Sequence, residues 1–260
     1  MPLKVNIAKQ ALREGRAAVG TMITQFRSAA LPLLLSRAGM DFIIIDNEHS
    51  AFHLETNQDI MRAARECGIA VLVRVPDPDY HLIARTLDSG ADGVMVPRVE
   101  TREVVQAIVD AVKYPPVGKR GYGVGPIHTG YEAVPVAEAI KHFNDNTLII
   151  IQIESGAAVD RAEELVSVPG VDVALVGPVD LSISLGIPGQ TDHQRIQDCY
   201  QKVLDAARKH GAHLGLHLPD LEALKRWRDR GARFLCYSGE ERILFAAAKS
   251  AVADLRAHIT

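Results

Sequence analysis

The stretch FIIIDNEHS, residues 42–50, decides the fold of this chain, because four apolar residues run directly into five polar ones. A short continuous apolar run is typical of a strand that is buried on both faces of a parallel sheet. About eight such runs recur along the chain, at residues 17–23, 42–46, 71–75, 93–97, 148–154, 173–177, 213–218 and 233–238. This repetition predicts a sheet of parallel strands.

Segments with the apolar spacing of amphipathic helices separate these runs, and several end at a glycine, the usual residue just past a helix. The segments cover residues 28–39, 54–68, 79–90, 103–114, 157–168, 196–211, 220–231 and 240–259. Eight β–α units in 260 residues predict a (β/α)8 TIM barrel that forms a single domain over residues 1–260. A doubly wound open sheet is the alternative, although no GxGxxG motif follows the first strand.

One segment does not fit the alternation. Residues 114–147 are rich in Gly and Pro and are longer than an ordinary connection. Such a segment often forms a lid or a binding loop, so we expect an irregular loop here.

Composition excludes several classes of partner. The chain is 47% hydrophobic and 23% charged, its formal net charge is −3, and its basic residues are scattered, so we expect neither a nucleic-acid nor a membrane-surface partner. No apolar run approaches the roughly 18 residues of a membrane-spanning helix, and the N-terminus lacks the apolar segment of a secretory signal. The three cysteines are far apart and odd in number, which indicates a reducing compartment. We therefore expect a cytoplasmic protein.

Reactive side chains cluster where the predicted strands end, and the carboxyl end of the strands is where a barrel carries its chemistry. These side chains are Asp46, Glu48 and His49 after the second strand, Arg74 in the third, Gln152 and Glu154 in the fifth, and Asp180 after the sixth. No predicted strand contains a lysine, so carbonyl chemistry through a Schiff base is not favoured. Any such chemistry is expected to use a metal ion.

Four of these side chains have more than one interpretation. Arg74 either forms a structural ion pair or aims a planar guanidinium at an anionic ligand. Glu154 and Asp180 either bind a hard divalent cation together or bond to loop amides and cap a helix. His49 is a general base, a metal ligand or an ordinary loop residue.

Six motifs in this order resemble the HpcH/HpaI aldolases, which are metal-dependent class II pyruvate aldolases. The motifs are DNEHS, VRVP, TLDSGADGVMVP, YPPVGKRGYG, QIES and VGPVDLSISLG. The family includes 4-hydroxy-2-oxoheptanedioate aldolase and 2-dehydro-3-deoxyglucarate aldolase, and the resemblance covers roughly residues 5–255. It implies a barrel whose C-terminal helix is exchanged with a neighbouring subunit, in a hexamer built as a trimer of dimers.

The resemblance also implies a metal site and a place for the substrate. Glu154 and Asp180 would bind Mg²⁺, Mn²⁺ or Co²⁺. Gln152 and the backbone around Val179 and Asp180 would hold the pyruvate moiety.

Catalytic roles follow from the same resemblance. His49 would be the base, and Asp88 from an adjacent subunit would raise its basicity. Arg74 would stabilise the enolate oxygen, while Asp46 and Glu48 would support the histidine and metal-bound water. The implied reaction is the reversible cleavage of 4-hydroxy-2-oxo acids to pyruvate and an aldehyde through a metal-bound pyruvate enolate, in aromatic or sugar acid catabolism.

Two positions depart from the family pattern, and two other functions are alternatives. Asn47 and His217 stand where small or apolar residues are expected, and His128 in the long segment is a further candidate for contacting a polar acceptor. One alternative is a related lyase or decarboxylase that acts on another oxo acid or a CoA thioester. The other is a barrel that binds a 2-oxo acid without catalysis.

Overall fold

The strands of this computed structural model, which describes residues 3–257, close into a parallel barrel. They follow one another in chain order around the barrel, and the last strand pairs with the first. The strands are β1 Ala18–Ile23, β2 Phe42–Asp46, β3 Ala70–Arg74, β4 Gly93–Val96, β5 Leu148–Ile153, β6 Val173–Val176, β7 His213–Leu218 and β8 Phe234–Gly239. The predicted (β/α)8 barrel is confirmed, and the open sheet is wrong.

Helices connect the strands and cover the barrel. They are α1 Ile7–Arg13, α2 Leu31–Arg37, α3 Leu54–Cys67, α4 Tyr80–Asp88, α5 Arg102–Val112, α6 Pro126–Thr129, α7 Val136–Asn146, α8 Gly156–Asp160, α9 Ala162–Val166, α10 Pro178–Ser184, α11 Gln194–Lys209, α12 Leu221–Arg230 and α13 Glu240–Ala257. Among the helices of residues 3–257, none combines the length and the apolar character that a membrane crossing requires.

Two predictions for the connecting segments need correction, and the predicted terminal helix is confirmed as far as the structure describes it. The single helix over 157–168 is wrong, because the backbone leaves the helical region at Arg161 (φ −100°, ψ 11°) and α8 ends before it. The irregular loop over 114–147 is only partly right, because it contains α6 and α7, and α7 buries Ala139 in the core. The terminal helix follows the prediction through Ala257, and the predicted positions beyond it lie outside the described residues.

Strict alternation along the strands sorts the core into two layers. On β2, Ile43 and Ile45 pack with the outer helices, while Phe42 and Ile44 fill the barrel interior. Because successive strand residues point to opposite faces, Asp46 continues the interior face at the carboxyl end. The same rule brings the last residues of the other strands to one mouth.

The interior is tightly filled below that mouth. The rings of Phe42 and Phe234 stack with centroids 4.1 Å apart. A Cβ at Gly20 would lie 2.2 Å from the Phe42 carbonyl oxygen, so only glycine lets β1 approach here. Ala8 and Leu12 of α1 pack on this interior cluster, so α1 closes the amino end of the barrel.

Three aspartates, one directly before each of β2, β4 and β6, stabilise the amino end of the barrel. Asp41, Asp92 and Asp172 directly precede β2, β4 and β6. Each accepts a hydrogen bond of 2.8–2.9 Å from a backbone N–H of the preceding strand, those of Val19, Val71 and Ile149. These bonds satisfy strand groups that the barrel ladder leaves open at this end.

Candidate active site

The central feature of the barrel mouth is a buried ion pair between neighbouring strands. Arg74 Nε and Nη2 donate to the two carboxylate oxygens of Asp46 at 2.8 and 2.6 Å. Burial opposes both charges, but each partner outweighs it, so the pKa of Asp46 is lowered and the pKa of Arg74 is raised. Arg74 thus forms an ion pair with Asp46, and its third nitrogen, Nη1, lies 3.2 Å from Glu48. The guanidinium is thus held rigidly at the mouth.

Asp46 also shapes the loop that follows β2. Its Oδ1 accepts hydrogen bonds from the backbone N–H groups of Glu48 and His49 at 3.0 and 3.3 Å. An aspartate that bonds the backbone two residues further on stabilises a turn. The Glu48 side chain turns inward and is buried, whereas the His49 side chain is 64% exposed and lies 3.7 Å from Glu48.

The structure explains the asparagine in this loop. The backbone N–H of Asn47 donates to the Arg74 carbonyl at 2.9 Å and so extends the β2–β3 ladder by one residue. Its side-chain oxygen accepts a hydrogen bond of 3.1 Å from Asn57 of α3. Asn47 therefore anchors the loop to the helix layer and does not line the mouth.

Glu154 is a buried carboxylate directly after β5. Its Oε2 accepts a 3.1 Å hydrogen bond from the backbone N–H of Arg98, and its Oε1 is in close contact with Nε2 of Gln152. Burial, and then the negative charges of Asp180 and Glu48, raise the pKa of Glu154 to about 7 against the opposing N–H group. The carboxylate bonds to a loop amide, and it also lies among like charges.

Glycine at position 177 makes room for this carboxylate. Gly177 follows β6 and is buried, and a Cβ there would lie 2.6 Å from Glu154 Oε1 and 3.1 Å from Gln152 Nε2. Asp180 lies three residues further on, in the exposed first turn of α10, close enough for its charge to affect Glu154. Val179, beside it, is exposed.

Sequence reasoning missed Arg98. This residue follows β4 after a proline and has a φ of 53°, in the left-handed region that a bulky residue rarely adopts. That conformation accompanies its bond to Glu154, and its exposed guanidinium donates to the Pro76 carbonyl at 2.8 Å and lies 3.6 Å from Glu48. Its position directly after a predicted strand was the feature of the sequence that could have identified it.

Two further candidates lie elsewhere within the chain. Asp88 at the end of α4 pairs with the buried Arg120 at 2.6 Å, and no contact joins it to His49 among residues 3–257. His128 is buried, with Nδ1 accepting from the Gly125 N–H at 3.0 Å and Nε2 2.8 Å from the Leu87 carbonyl. Both of its ring nitrogens are engaged with backbone, so His128 holds its segment in place and does not reach an acceptor.

The mouth offers donors that suit a hard cation. Among the described residues, Oε1 of Gln152 is buried without a hydrogen-bond partner, and Oε2 of Glu48 is paired with the Arg74 guanidinium at 3.2 Å. No group of three or more His, Cys, Asp or Glu side chains arranged to hold a metal occurs in the described part of the chain. The carboxylates of Glu154 and Asp180 and the unpartnered Gln152 oxygen still fit a Mg²⁺-type ion, which keeps several waters and takes few protein ligands.

The closed barrel with a polar, carboxylate-rich mouth defines the chain as a (β/α)8 barrel of the kind that carries active sites at this end. The model of the HpcH/HpaI aldolase/citrate lyase family matches residues 25–244. The chain therefore belongs to this family of aldolases and lyases, and the resemblance seen in the sequence is confirmed.

Several proteins are similar to this chain over most of its length. A hydroxypyruvate/pyruvate aldolase of Roseobacter denitrificans is 33% identical over 97% of this chain and 98% of its own. A 5-keto-4-deoxy-D-glucarate aldolase of Klebsiella pneumoniae is 34% identical over 85% of each chain. The crystal structure of an HpcH/HpaI aldolase from Desulfitobacterium hafniense is 36% identical, covers 95% of this chain and 96% of its own, and superposes with a TM-score of 0.91.

Proposed function

We propose that this protein is a divalent-metal-dependent aldolase that reversibly cleaves 4-hydroxy-2-oxo acids to pyruvate and an aldehyde. One observation carries the proposal: a rigidly held guanidinium, Arg74, shares the barrel mouth with Glu154, a buried carboxylate among like charges. Such an arrangement suits a cation and an anionic substrate bound together. The names of the relatives, which include two kinds of aldolase, support the same class of reaction.

Glu154 and Asp180 are the proposed ligands of the metal, with Mg²⁺, Mn²⁺ and Co²⁺ as candidates. When bound, the ion supplies Lewis-acid polarisation of the ketone of the 2-oxo acid. Gln152, whose Oε1 lacks a partner, and the backbone around Val179 and Asp180 are proposed to position the pyruvate moiety. Gly177 keeps the space that these groups need.

Arg74 is proposed to stabilise the negative charge that develops on the ketone oxygen as the C3–C4 bond breaks. Asp46 fixes two of its nitrogens, so the guanidinium is preorganised and loses little entropy when it meets that charge. The products of this step are an aldehyde and the enolate of pyruvate, which then takes up a proton at C3. In the synthetic direction the same groups act in reverse.

His49 is the proposed base that removes the proton of the 4-hydroxyl group. Its exposed side chain, held on the turn that Asp46 stabilises, is accessible to substrate and lies 3.7 Å from Glu48. We further propose that Asp88 of an adjacent subunit supports His49, since within one chain Asp88 faces Arg120.

The C-terminal helix α13 is proposed to take part in subunit assembly. Apolar side chains of α13 remain exposed in the single chain, including Leu244 (57%), Phe245 (68%) and Leu255 (68%). Exposure of this extent indicates a surface that another subunit covers. We propose that α13 packs on a neighbouring copy within a hexamer, a trimer of dimers. The three unpaired cysteines support a cytoplasmic, reducing location.

A metal-removal experiment tests the function. Pyruvate release from a 4-hydroxy-2-oxo acid is measured before and after exhaustive treatment with EDTA, and again after addition of Mg²⁺, Mn²⁺ or Co²⁺. We expect activity to disappear on chelation and to return with at least one of the ions. Pyruvate release that continues undiminished in the metal-free protein would contradict the proposal.

A matched pair of histidine variants tests the base. His49→Ala is expected to lower kcat by about 100-fold or more, because general base catalysis typically contributes that much. His53→Ala, an exposed histidine four positions away that makes no side-chain capping bond, is the control and keeps wild-type kcat. Equal kcat values for the two variants would remove His49 from the mechanism.

A further inference from the structure

His217 lies inside the barrel, at the carboxyl end of β7. A Cβ at Gly215, two residues earlier on the same face, would lie 3.2 Å from Cβ of the interior residue Leu175. The register partner of His217 on β8 is Cys236, which is fully buried in the interior cluster. The imidazole therefore stands on the filled interior, in the layer that also contains Arg74.

The hydrogen bond of His217 identifies its tautomer. Its Nε2 lies 2.9 Å from the carbonyl oxygen of Ser238, and since a carbonyl only accepts, Nε2 carries the proton and donates. Ser238 has a φ of 52°, and its oxygen also accepts a 3.3 Å hydrogen bond from Thr21 Oγ1. The acceptor is thus fixed by two donors from neighbouring strands.

The environment keeps this ring neutral. Burial first, and then the positive charge of Arg74, lower the pKa of His217, against the bond to Ser238 that raises it. A neutral imidazole with its proton on Nε2 has a bare lone pair on Nδ1. Within residues 3–257, no donor bonds to that nitrogen.

The accessible part of the ring faces the mouth. His217 retains partial exposure, whereas Cys236 beside it and Leu175 on the same interior face are buried. The barrel interior below is closed, so solvent and ligands reach the ring only from the carboxyl end. A bare acceptor nitrogen consequently borders the space next to Arg74.

We propose that Nδ1 of His217 accepts a hydrogen bond from a hydroxyl group of the substrate, which makes His217 a specificity-determining residue for hydroxylated substrates. The inference rests on the proposed aldolase function. The hydroxyl belongs either to a 2-hydroxy aldehyde in the acceptor position or to a 3-hydroxy-2-oxo acid in the donor position. A site built to bond a hydroxyl group discriminates against the analogue without it, because the buried polar group is then left unpaired.

Two isosteric substrate pairs test this in the synthetic direction. With pyruvate as donor, glycolaldehyde is compared with propanal, which replaces the hydroxyl group with a methyl group. With propanal as acceptor, hydroxypyruvate is compared with 2-oxobutanoate in the same way. The measured quantity is the ratio of kcat/KM for the hydroxylated substrate to that for its methyl analogue. In His217→Leu we expect this ratio to fall about tenfold or more in one pair, and that pair identifies the source of the hydroxyl group.

Two further variants separate the acceptor nitrogen from the structural bond. His217→Asn places an amide oxygen near the position of Nδ1, and we expect it to keep most of the wild-type ratio. His217→Gln preserves a donor toward Ser238 without an acceptor at that position, and we expect it to lose the ratio as the Leu variant does. A ratio that stays at its wild-type value in both the Leu and Gln variants, for both pairs, overturns the proposal.

The same experiments distinguish a failure of the role of His217 from a failure of the proposed aldolase function. If the wild-type protein condenses none of these donors with any aldehyde in the presence of Mn²⁺, the aldolase proposal fails. If it does so and the ratios are insensitive to position 217, only the role of His217 fails. Melting temperatures of the three variants show whether each one is folded under the assay conditions.

Discussion

Both ends of the barrel contain charged side chains, but the two ends differ in how these charges are paired. At the amino end Lys4 pairs with Asp92 at 2.6 Å and Lys9 with Asp172 at 2.9 Å. At the carboxyl end Glu154 is buried among like charges, with its pKa raised to about 7. The lysines at the amino end are therefore paired within the chain, whereas Glu154 forms no ion pair with the described residues, which suits the proposed cation.

Backbone strain follows the same division. Two of the non-glycine residues with positive φ in the described part of the chain, Arg98 and Ser238, lie at the carboxyl ends of β4 and β8. Each fixes an atom of the mouth: the N–H group that bonds Glu154, and the carbonyl that orients His217. Strain of this kind persists where the surrounding structure enforces it, which is common at functional sites.

The largest expected effect comes from removing the unbalanced charge. Glu154→Gln should lower kcat by about 1000-fold by removing the proposed metal ligand. In the metal-free protein it should raise stability by about 1 kcal/mol, or about 2–4 °C in Tm, because a buried charge disappears and a neutral amide can bond to Gln152. Activity assays with saturating Mn²⁺ and calorimetric melting in EDTA measure the two effects.

A surface acid provides the control for this substitution. Glu138 is exposed in the first turn of α7, and Glu138→Gln should change neither kcat nor Tm measurably. A Glu154→Gln protein that melts below the wild type in EDTA would show that the carboxyl end is as well balanced as the amino end.

The second effect concerns space at the mouth. In Gly177→Ala the new Cβ would lie 2.6 Å from Glu154 Oε1, so the carboxylate must move, and we expect kcat to fall about 10- to 100-fold with little change in Tm. In Gly156→Ala the Cβ would meet only the flexible end of Leu185 at 3.2 Å, and activity should be retained. Steady-state kinetics of the two variants measure this difference in kcat. Equal activities would show that position 177 has no special role.

Much of the mouth could be predicted from the sequence because strand periodicity determines it. Once Phe42 and Ile44 are interior residues, Asp46 must be one as well, and the same count places Arg74 and Gln152. The ends of short apolar runs are also visible in a single sequence. That is why the acids after β2 and β5 could be located without coordinates.

The remaining contacts depend on backbone conformation and on pairs distant in sequence. Arg98 contributes its backbone N–H group from a left-handed conformation, and the identity of the residue does not predict that conformation. The bond between Asn47 and Asn57 joins a loop to a helix, and His128 meets the end of α4. These partners follow from the packed fold, so sequence patterns alone could not assign them.

The third effect belongs to the amino end. Asp172→Asn leaves the buried amines of Lys9 and Lys113 without their counter-charge, although Asn still accepts from the Ile149 N–H group. We expect a loss of about 2 kcal/mol, or about 4–8 °C in Tm, with kcat unchanged at 25 °C. Asp160→Asn, which breaks an exposed pair with Lys202, is the control and should shift Tm by little. A kcat that falls in the folded Asp172→Asn protein would mean that the two ends are coupled.

The smallest expected effect is a pH dependence set by Lys113. Burial and then the charge of Lys9 lower the pKa of Lys113 to about 7, against the attraction of Asp172. Its Nζ donates to the carbonyls of Asn144 and Thr147 at 2.7 and 2.9 Å, which a neutral amine can also do. Between pH 7 and the ordinary value of 10.5, the folded protein then binds fewer protons at this site than the unfolded chain. Stability should therefore rise with pH in this window, by about 1 kcal/mol from pH 7 to pH 8.

Lys113→Met isolates this contribution from every other titrating group. The variant loses two hydrogen bonds and should be less stable overall, but its free energy of unfolding should rise less steeply with pH than that of the wild type. Lys119→Met, at an exposed lysine that pairs with Asp110, should keep the wild-type slope. Urea unfolding at pH 7, 8 and 9 measures the three slopes. Parallel slopes for Lys113→Met and the wild type would mean that this amine stays charged in the folded protein. The amino end would then also contain a buried charge that lowers the free energy of unfolding.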